Sequence, residues 1–357
     1  MTSATVPTSH SVRRWVPRAR LRPRALVTGL VVLTFVAVLL SLQIGPANVS
    51  VLQALVGATD ANESALARII ILELRIPRTL VAVATGASLA LAGATMQGLF
   101  RNPLADPGLL GVSSGAALGA VSVIVLGGLL PLAWMGAWLL PGAAFLGALA
   151  GMSLAYALAQ RQGQADVALL LLAGIAVNAI AGAGIGLLTY ISTDEQLRSL
   201  TFWSMGSVAQ AEWSQLLPAV GIMTATTLLL SRGGHWLNLL LLGERAARHA
   251  GLPVAGVKRL LVVLVALQVG AAVAITGVIG FVGLVVPHMI RLLIGPDHRM
   301  LLPASIFGGA VLLLLADLVA RSIVAPAELP IGLVTTLLGG PFFLLLLLQR
   351  RRVSVFG

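Results

Sequence analysis

The sequence contains no cysteine and very little charge. Charged residues make up 10% of the 357 positions, whereas hydrophobic residues make up 58% and the mean hydropathy is +1.00. Without cysteine the chain forms no disulfide, thiolate metal site or iron–sulfur cluster. Charge this sparse excludes an ordinary soluble domain and is typical of a protein that crosses a membrane several times.

Lysine is nearly absent, since Lys258 is the only one. A phosphate-binding P-loop requires a Gly-Lys-Ser/Thr sequence, and Lys258 stands between Val257 and Arg259. Any nucleotide must therefore bind another polypeptide. His288 has no second histidine or carboxylate at ligand spacing. We predict no metal site, no catalytic residues and no cofactor on this chain.

The apolar residues fall into runs of about 20 residues, the length of a membrane-spanning helix. The uncharged run from Leu260 to Ile290 is divided in this interpretation at Gly277 and Gly280, and leaving it undivided gives nine spans instead of ten. We predict ten spans, at residues 25–45, 79–100, 107–130, 134–159, 167–191, 213–231, 260–277, 280–295, 303–324 and 332–349.

Positive charge favours the count of ten. Residues 1–24 contain six arginines and no acid, and Arg350–Arg352 follow the last span. Cytoplasmic segments are rich in basic residues, so both ends are predicted to be cytoplasmic, which requires an even number of spans. A cleaved signal peptide is the alternative for the first run, which exceeds the usual ~7–15 apolar residues. The outer side then keeps five of the 23 basic residues, namely Arg68, Arg75, Arg78, Arg198 and Arg321.

This topology predicts one transmembrane domain, residues 25–349. Residues 1–24 and 350–357 form basic cytoplasmic tails. The longest inner connection is the loop at residues 232–259, where a short amphipathic helix is expected.

Six segments of the sequence stand out because charged residues, glycine or proline interrupt or flank the apolar runs. They are LELRIPRTL (72–80), GATMQGLFRNPLADPGLLGVSSGAALGA (93–120), ERAARHAGLP (244–253), GFVGLVVPHMIRLLIGPDHRMLLPAS (280–305), ADLVAR (316–321) and AELPIGLVTTLLGGP (327–341). In this order and spacing they resemble the iron–siderophore and cobalamin (FecCD-type) permease family of ATP-binding-cassette (ABC) importers. The resemblance covers roughly residues 70–350 and implies an all-α polytopic membrane protein with the type II ABC importer permease fold.

The resemblance also implies function and partners. It indicates the permease subunit of an ATP-driven importer in a bacterial cytoplasmic membrane, with an ATPase dimer that binds ATP and Mg, a second permease subunit and an extracytoplasmic binding protein. The expected cargo is a ferric siderophore, or a related chelate such as haem or cobalamin. The alternative is an ion-coupled secondary transporter without an ATPase, which would relay protons through Asp317. An ion pair between Asp317 and Arg321, four residues apart, is the simpler interpretation.

Site residues follow from the same resemblance. Arg75, Arg78 and Arg321 are expected to receive acidic residues of the binding protein, a task that suits bidentate guanidinium groups. Snorkelling to the membrane surface explains each arginine singly. The loop at 232–259 is expected to couple to the ATPase through Gly243, Glu244, Ala247, Arg248 and Gly251. The small-residue fifth span is expected to border the translocation path through Gly174, Asn178 and Gly182.

Overall fold

The computed structural model describes residues 21–45, 61–129, 131, 133–161, 164–165, 167–209, 212–325 and 327–354. Most of the predicted tail at 1–24 and the last residues of the tail at 350–357 lie outside this part of the chain. The described residues are mainly helical, and one short hairpin pairs β1 (Gln160–Arg161) with β2 (Gln164–Ala165). The division into one domain and two tails stays a prediction.

The helices follow one another with short connections. Helix α1 spans Pro23–Gln43, and α2 (Ala61–Ile69) continues through a π-helical turn (Ile70–Arg75) into α3 (Ile76–Leu99). The others are α4 (Val112–Leu126), α5 (Leu139–Leu158), α6 (Val167–Tyr190), α7 (Asp194–Met205), α8 (Trp213–Ser231), α9 (Gly234–Leu241), α10 (Glu244–His249), α11 (Val254–Thr276), α12 (Val282–Ile294), α13 (His298–Ser322) and α14 (Ile331–Ser354).

Ten apolar segments coincide with the ten predicted spans. Among the described residues, eight helical segments are long and apolar enough to cross a membrane. Two shorter apolar helices, Val282–Ile294 and Ile331–Leu345, correspond to the predicted eighth and tenth spans. The prediction of an all-α polytopic membrane protein is confirmed.

Several boundaries differ from the prediction, and the largest difference is in the second span. The second span is part of an apolar helical segment from Ala65 to Leu99, so Arg75 and Arg78 lie within a helix and not at its mouth. The amphipathic helix α7 was not predicted. The division between the seventh and eighth spans is confirmed, because helix α11 ends at Thr276 and α12 begins at Val282. The residues that flank the interruption, Gly277 and Phe281, both have φ of 68°.

Glycine lets the central helices approach to backbone contact. A Cβ atom built on Gly309 of α13 would lie 2.1 Å from the carbonyl oxygen of Gly86 in α3. A Cβ atom built on Gly93 of α3 would lie 1.8 Å from the carbonyl oxygen of Gly283 in α12. Since lipid provides no hydrophobic drive between helices, such close packing is a principal source of their association.

Helix α13 runs from one end of the bundle to the opposite end. Its first residue, His298, lies beside α9 and Gly98, whereas Arg321 lies beside Ser41 at the end of α1. We call these the loop end, which carries residues 232–259, and the arginine end, which carries Arg321. Helix α13 has 25 residues, and His298 and Arg321 lie about 35 Å apart along it.

Candidate functional site

Two arginines at the arginine end close the last turn of α1. Arg75 donates to the carbonyl oxygens of Leu42 at 2.7 Å and Gln43 at 3.0 Å. Arg321 donates to the carbonyl oxygen of Ser41 at 2.9 Å and to its hydroxyl at 3.0 Å. The last carbonyls of a helix have no partner within the helix and carry partial negative charge, so these guanidinium groups complement them.

A third arginine joins this group through a shared carboxylate. Arg78 contacts Asp317 Oδ1 through Nη2 at 2.8 Å and through Nε at 2.9 Å. Arg321 Nε approaches the other oxygen, Oδ2, at 3.4 Å, which confirms the predicted ion pair within α13. Arg78 Nη1 also contacts Glu328 at 2.6 Å. We call Arg75, Arg78, Asp317, Arg321 and Glu328 the arginine cluster.

The three predicted docking residues differ in how far their side chains are exposed. Arg75 is 4% exposed and Arg321 is 3% exposed, and both hydrogen-bond to the chain's own backbone. The sequence did not predict that these two guanidinium groups would be buried against the last turn of α1. The Arg78 side chain is 13% exposed, and its outward contact is Glu328, whose side chain is 34% exposed. A docking role stays a prediction, and Arg78 is its best-placed member.

The loop at 232–259 folds into two short helices at the opposite end. Gly243 separates α9 from α10 with φ of 104°, and Gly251 follows α10 with φ of 86°; both conformations favour glycine. Ala247 is fully buried and fixes α10 against the bundle. Glu244 contacts Lys258 of α11 at 2.8 Å and Arg248 at 3.9 Å.

The outer face of this loop is exposed in the described part of the chain. Arg245, Arg248 and Gly251 are exposed, and Leu242 is 72% exposed. Charged and apolar groups thus lie side by side on one short surface. Of the predicted coupling residues, Arg248 and Gly251 form that surface, while Ala247 supports it from inside.

Helix α9 is joined to the start of α13 by one side chain. Asn238 Nδ2 donates to Asp297 Oδ1 at 2.6 Å, and Asn238 Oδ1 accepts from the backbone N–H of His298 at 2.9 Å. Asp297 also caps α13 by accepting from the backbone N–H of Arg299. Burial alone would raise the pKa of Asp297, but the hydrogen bonds from Asn238 and Arg299 lower it.

The predicted path residues occupy different environments on α6. Gly174 is buried, and a Cβ atom there would meet the carbonyl oxygen of Leu109 at 2.1 Å, so Gly174 serves packing in this conformation. Asn178 is half-buried and bonds to Ser114 and to the carbonyl oxygen of Gly108. Gly182 is exposed with open space beside it. A path role for this helix stays a prediction.

Sequence reasoning missed several residues that organise these sites. Glu328 and Ser41 were not singled out, although each contacts the arginine cluster. A cavity of about 460 Å³ at the arginine end is lined by Arg198, Trp203 and Glu328, among others. Asn238 carries no local signal, since its two partners lie about sixty residues away in the chain.

These features define a class, the multi-pass α-helical membrane transport subunits with a structured loop at one end. Residues 33–349 match the model of the FecCD transport family. The chain belongs to this family.

Similar proteins share most of their length with it. The hemin transport system permease protein HmuU of Yersinia pestis is 49% identical over 332 residues, covering 93% of this chain and 98% of that one. The cobalamin import system permease protein BtuC of Halobacterium salinarum is 40% identical, covering 80% and 74%. A solved structure described as an inward-facing conformation of a metal-chelate type ABC transporter matches with a TM-score of 0.80, 35% identity, and 92% and 100% coverage.

Proposed function

We propose that this chain is the permease subunit of an ABC importer that carries haem across the bacterial cytoplasmic membrane. The observation that supports this most strongly is the 49% identity to a hemin permease along nearly its whole length. The corrinoid permeases, at 40–43% identity over about four fifths of the chain, are the next relatives. Haem and cobalamin are both metal-bearing macrocycles, so a chelated macrocycle is a better-supported cargo than a ferric siderophore.

The mechanism we propose is alternating access driven by separate ATPases. Two permease subunits would enclose the path, an ATPase dimer would bind the exposed face of residues 232–259, and a binding protein would dock at the arginine end. Both chain ends would lie in the cytoplasm. ATP and Mg would bind the ATPases, since this chain has no P-loop.

Reconstitution into proteoliposomes tests the proposal. The chain with its cognate ATPase and binding protein should take up haemin when ATP is supplied, and the chain alone should not. Cyanocobalamin and a ferric hydroxamate siderophore serve as competing cargoes. Transport of the siderophore but not of haemin would overturn the haem assignment, and proton-driven uptake by the chain alone would overturn the importer mechanism.

The environment of Asp317 argues against the secondary-transporter alternative. A proton relay requires a carboxylate that can gain and lose its proton during transport. Asp317 lies between Arg78 and Arg321, at 2.8 Å and 3.4 Å, so its carboxylate is held in ion pairs that join α3 to α13 and serves a structural contact.

Docking at the arginine end predicts opposite effects for two neighbouring substitutions. Arg78→Gln removes the partly exposed guanidinium, and since a hydrogen bond to a charged group contributes about 1.5–3 kcal/mol, affinity for the binding protein should fall roughly tenfold or more. Glu328→Gln weakens the internal contact that occupies Arg78 and should raise affinity. Titration of the binding protein against the transporter in nanodiscs measures both.

Arg198→Gln is the matched control, because Arg198 is exposed at the same end but lies outside the arginine cluster. It should leave affinity within about twofold of the parent. Equal affinities for Arg78→Gln and Arg198→Gln, in variants with the parent's melting temperature, would contradict a docking role for Arg78.

A further inference from the structure

Two of the contacts that hold the loop end to the bundle join different elements, and a third, between Arg299 and His235 at 3.2 Å, also links α13 to α9. Glu244 contacts Lys258 at 2.8 Å, which joins α10 to its own successor α11. Asn238 contacts Asp297 and His298, which joins α9 to a helix about sixty residues further along the chain. The second contact therefore connects the loop to a different part of the bundle.

The Asn238 contact fixes both the orientation of the Asn238 side chain and the distance between α9 and the start of α13. Its amide donates to a carboxylate on one side and accepts from a backbone N–H on the other, so the side chain cannot rotate without losing both bonds. Bonds to a charged partner are also stronger than neutral ones. The backbones are close as well, since a Cβ atom on Gly234 of α9 would lie 3.0 Å from the carbonyl oxygen of His298. Helix α9 and the first turn of α13 thus form one rigid junction.

The same helix reaches the opposite end of the bundle. Helix α13 carries Asp317 and Arg321 of the arginine cluster, about 29 Å and about 35 Å from its start. Its middle is in backbone contact with α3 through Gly309 and Gly86, and α3 carries Arg78. A displacement of α9 would accordingly be passed along α13 to the residues around Arg78.

We propose that Asn238 is a positioning residue that couples the ATPase-facing loop to the arginine end by making α9 and α13 move together. The inference rests on the proposed function, because it assigns a path between two of that function's partner sites. It also gives a role to the sequence GPDHR at 295–299, in which Asp297 and His298 receive the loop.

The cysteine-free sequence permits a direct measurement at the far end. Ala325→Cys places a single thiol on the exposed turn that follows α13. In the transporter assembled with its ATPase, ATP plus vanadate should change the rate of maleimide labelling of this thiol. Coupling between distant sites commonly amounts to a factor of about five or more, and Asn238→Ala should abolish most of that change.

A charge-conserving exchange separates coupling from simple destabilisation. Asn238→Asp alone sets two carboxylates against each other, whereas Asn238→Asp combined with Asp297→Asn restores a donor facing a carboxylate. The double variant should recover the labelling response. Asn102→Ala is the matched control, because Asn102 is at the same end but bonds only within its own turn, to the N–H of Leu104.

Two results would overturn the coupling role of Asn238. One is a full labelling response in Asn238→Ala, and the other is a double variant no better than Asn238→Asp although both assemble with the ATPase. An ATP-dependent response in a transporter that fails to take up haemin would count against the proposed cargo and leave this coupling supported. A complex that assembles yet shows no response in the parent would also refute the coupling.

Discussion

Arg321→Ala is expected to destabilise the folded protein by about 3–5 kcal/mol, the usual cost of leaving one member of a buried ion pair alone. Arg321 is 3% exposed, and its loss removes two hydrogen bonds to Ser41 and one of the two cations beside Asp317. Ser41 is buried, so solvent does not readily replace the guanidinium at its carbonyl oxygen.

Thermal unfolding of the purified protein in detergent measures this effect. Arg198→Ala, an exposed arginine at the same end, should change the melting temperature little. Combining Arg321→Ala with Asp317→Asn should recover part of the stability, because the buried carboxylate that had lost one of its two cations is replaced by a neutral amide. A melting temperature for Arg321→Ala equal to that of Arg198→Ala would show that the buried contacts contribute nothing.

Gly309→Leu should prevent correct packing of α13 on α3. A Cβ atom at this position lies 2.1 Å from the carbonyl oxygen of Gly86 and 2.5 Å from Ala90 Cβ, and a helix backbone cannot move aside as a flexible side chain can. Overpacking of a well-packed interior commonly costs ~1–3 kcal/mol, and a clash with backbone belongs at or above the upper end of that range. We expect little monodisperse protein after detergent extraction.

Gly29→Leu provides the matched comparison for Gly309→Leu. Gly29 is an exposed glycine in an apolar helix, and nothing lies within 4 Å of the Cβ position. Fluorescence-detected size-exclusion chromatography of tagged variants should give a normal peak for Gly29→Leu and an aggregated or missing peak for Gly309→Leu. Normal peaks for both would refute the close contact between α3 and α13.

The fold was largely predictable because each helix that crosses a bilayer needs about 20 apolar residues, and because basic residues concentrate on the cytoplasmic side. The sixth span, 213–231, matches α8 to the residue, and the break at Gly277 was placed correctly. The start of the second span was misplaced because hydropathy alone does not show that a helix continues through Arg75. Two carbonyl groups at the end of α1 help to accommodate that side chain.

The candidate site was less predictable, because its contacts join distant parts of the chain. The pair Asp317 and Arg321 lies within one helical turn and was found from spacing. The partners of Arg78 lie 239 and 250 residues away, and no local pattern reveals them. The arginines were therefore correctly grouped by side, while their burial under α1 could be learned only from the structure.

The closure of α1 by Arg75 and Arg321 has a consequence for biosynthesis. Helix α1 leaves the ribosome before α13, yet one of the two side chains that complete its last turn belongs to α13, 280 residues later. Until that residue is made, carbonyl groups of the newly inserted helix must hydrogen-bond to water or lipid headgroups instead. A segment that enters the membrane early is thus among the last to reach its final state.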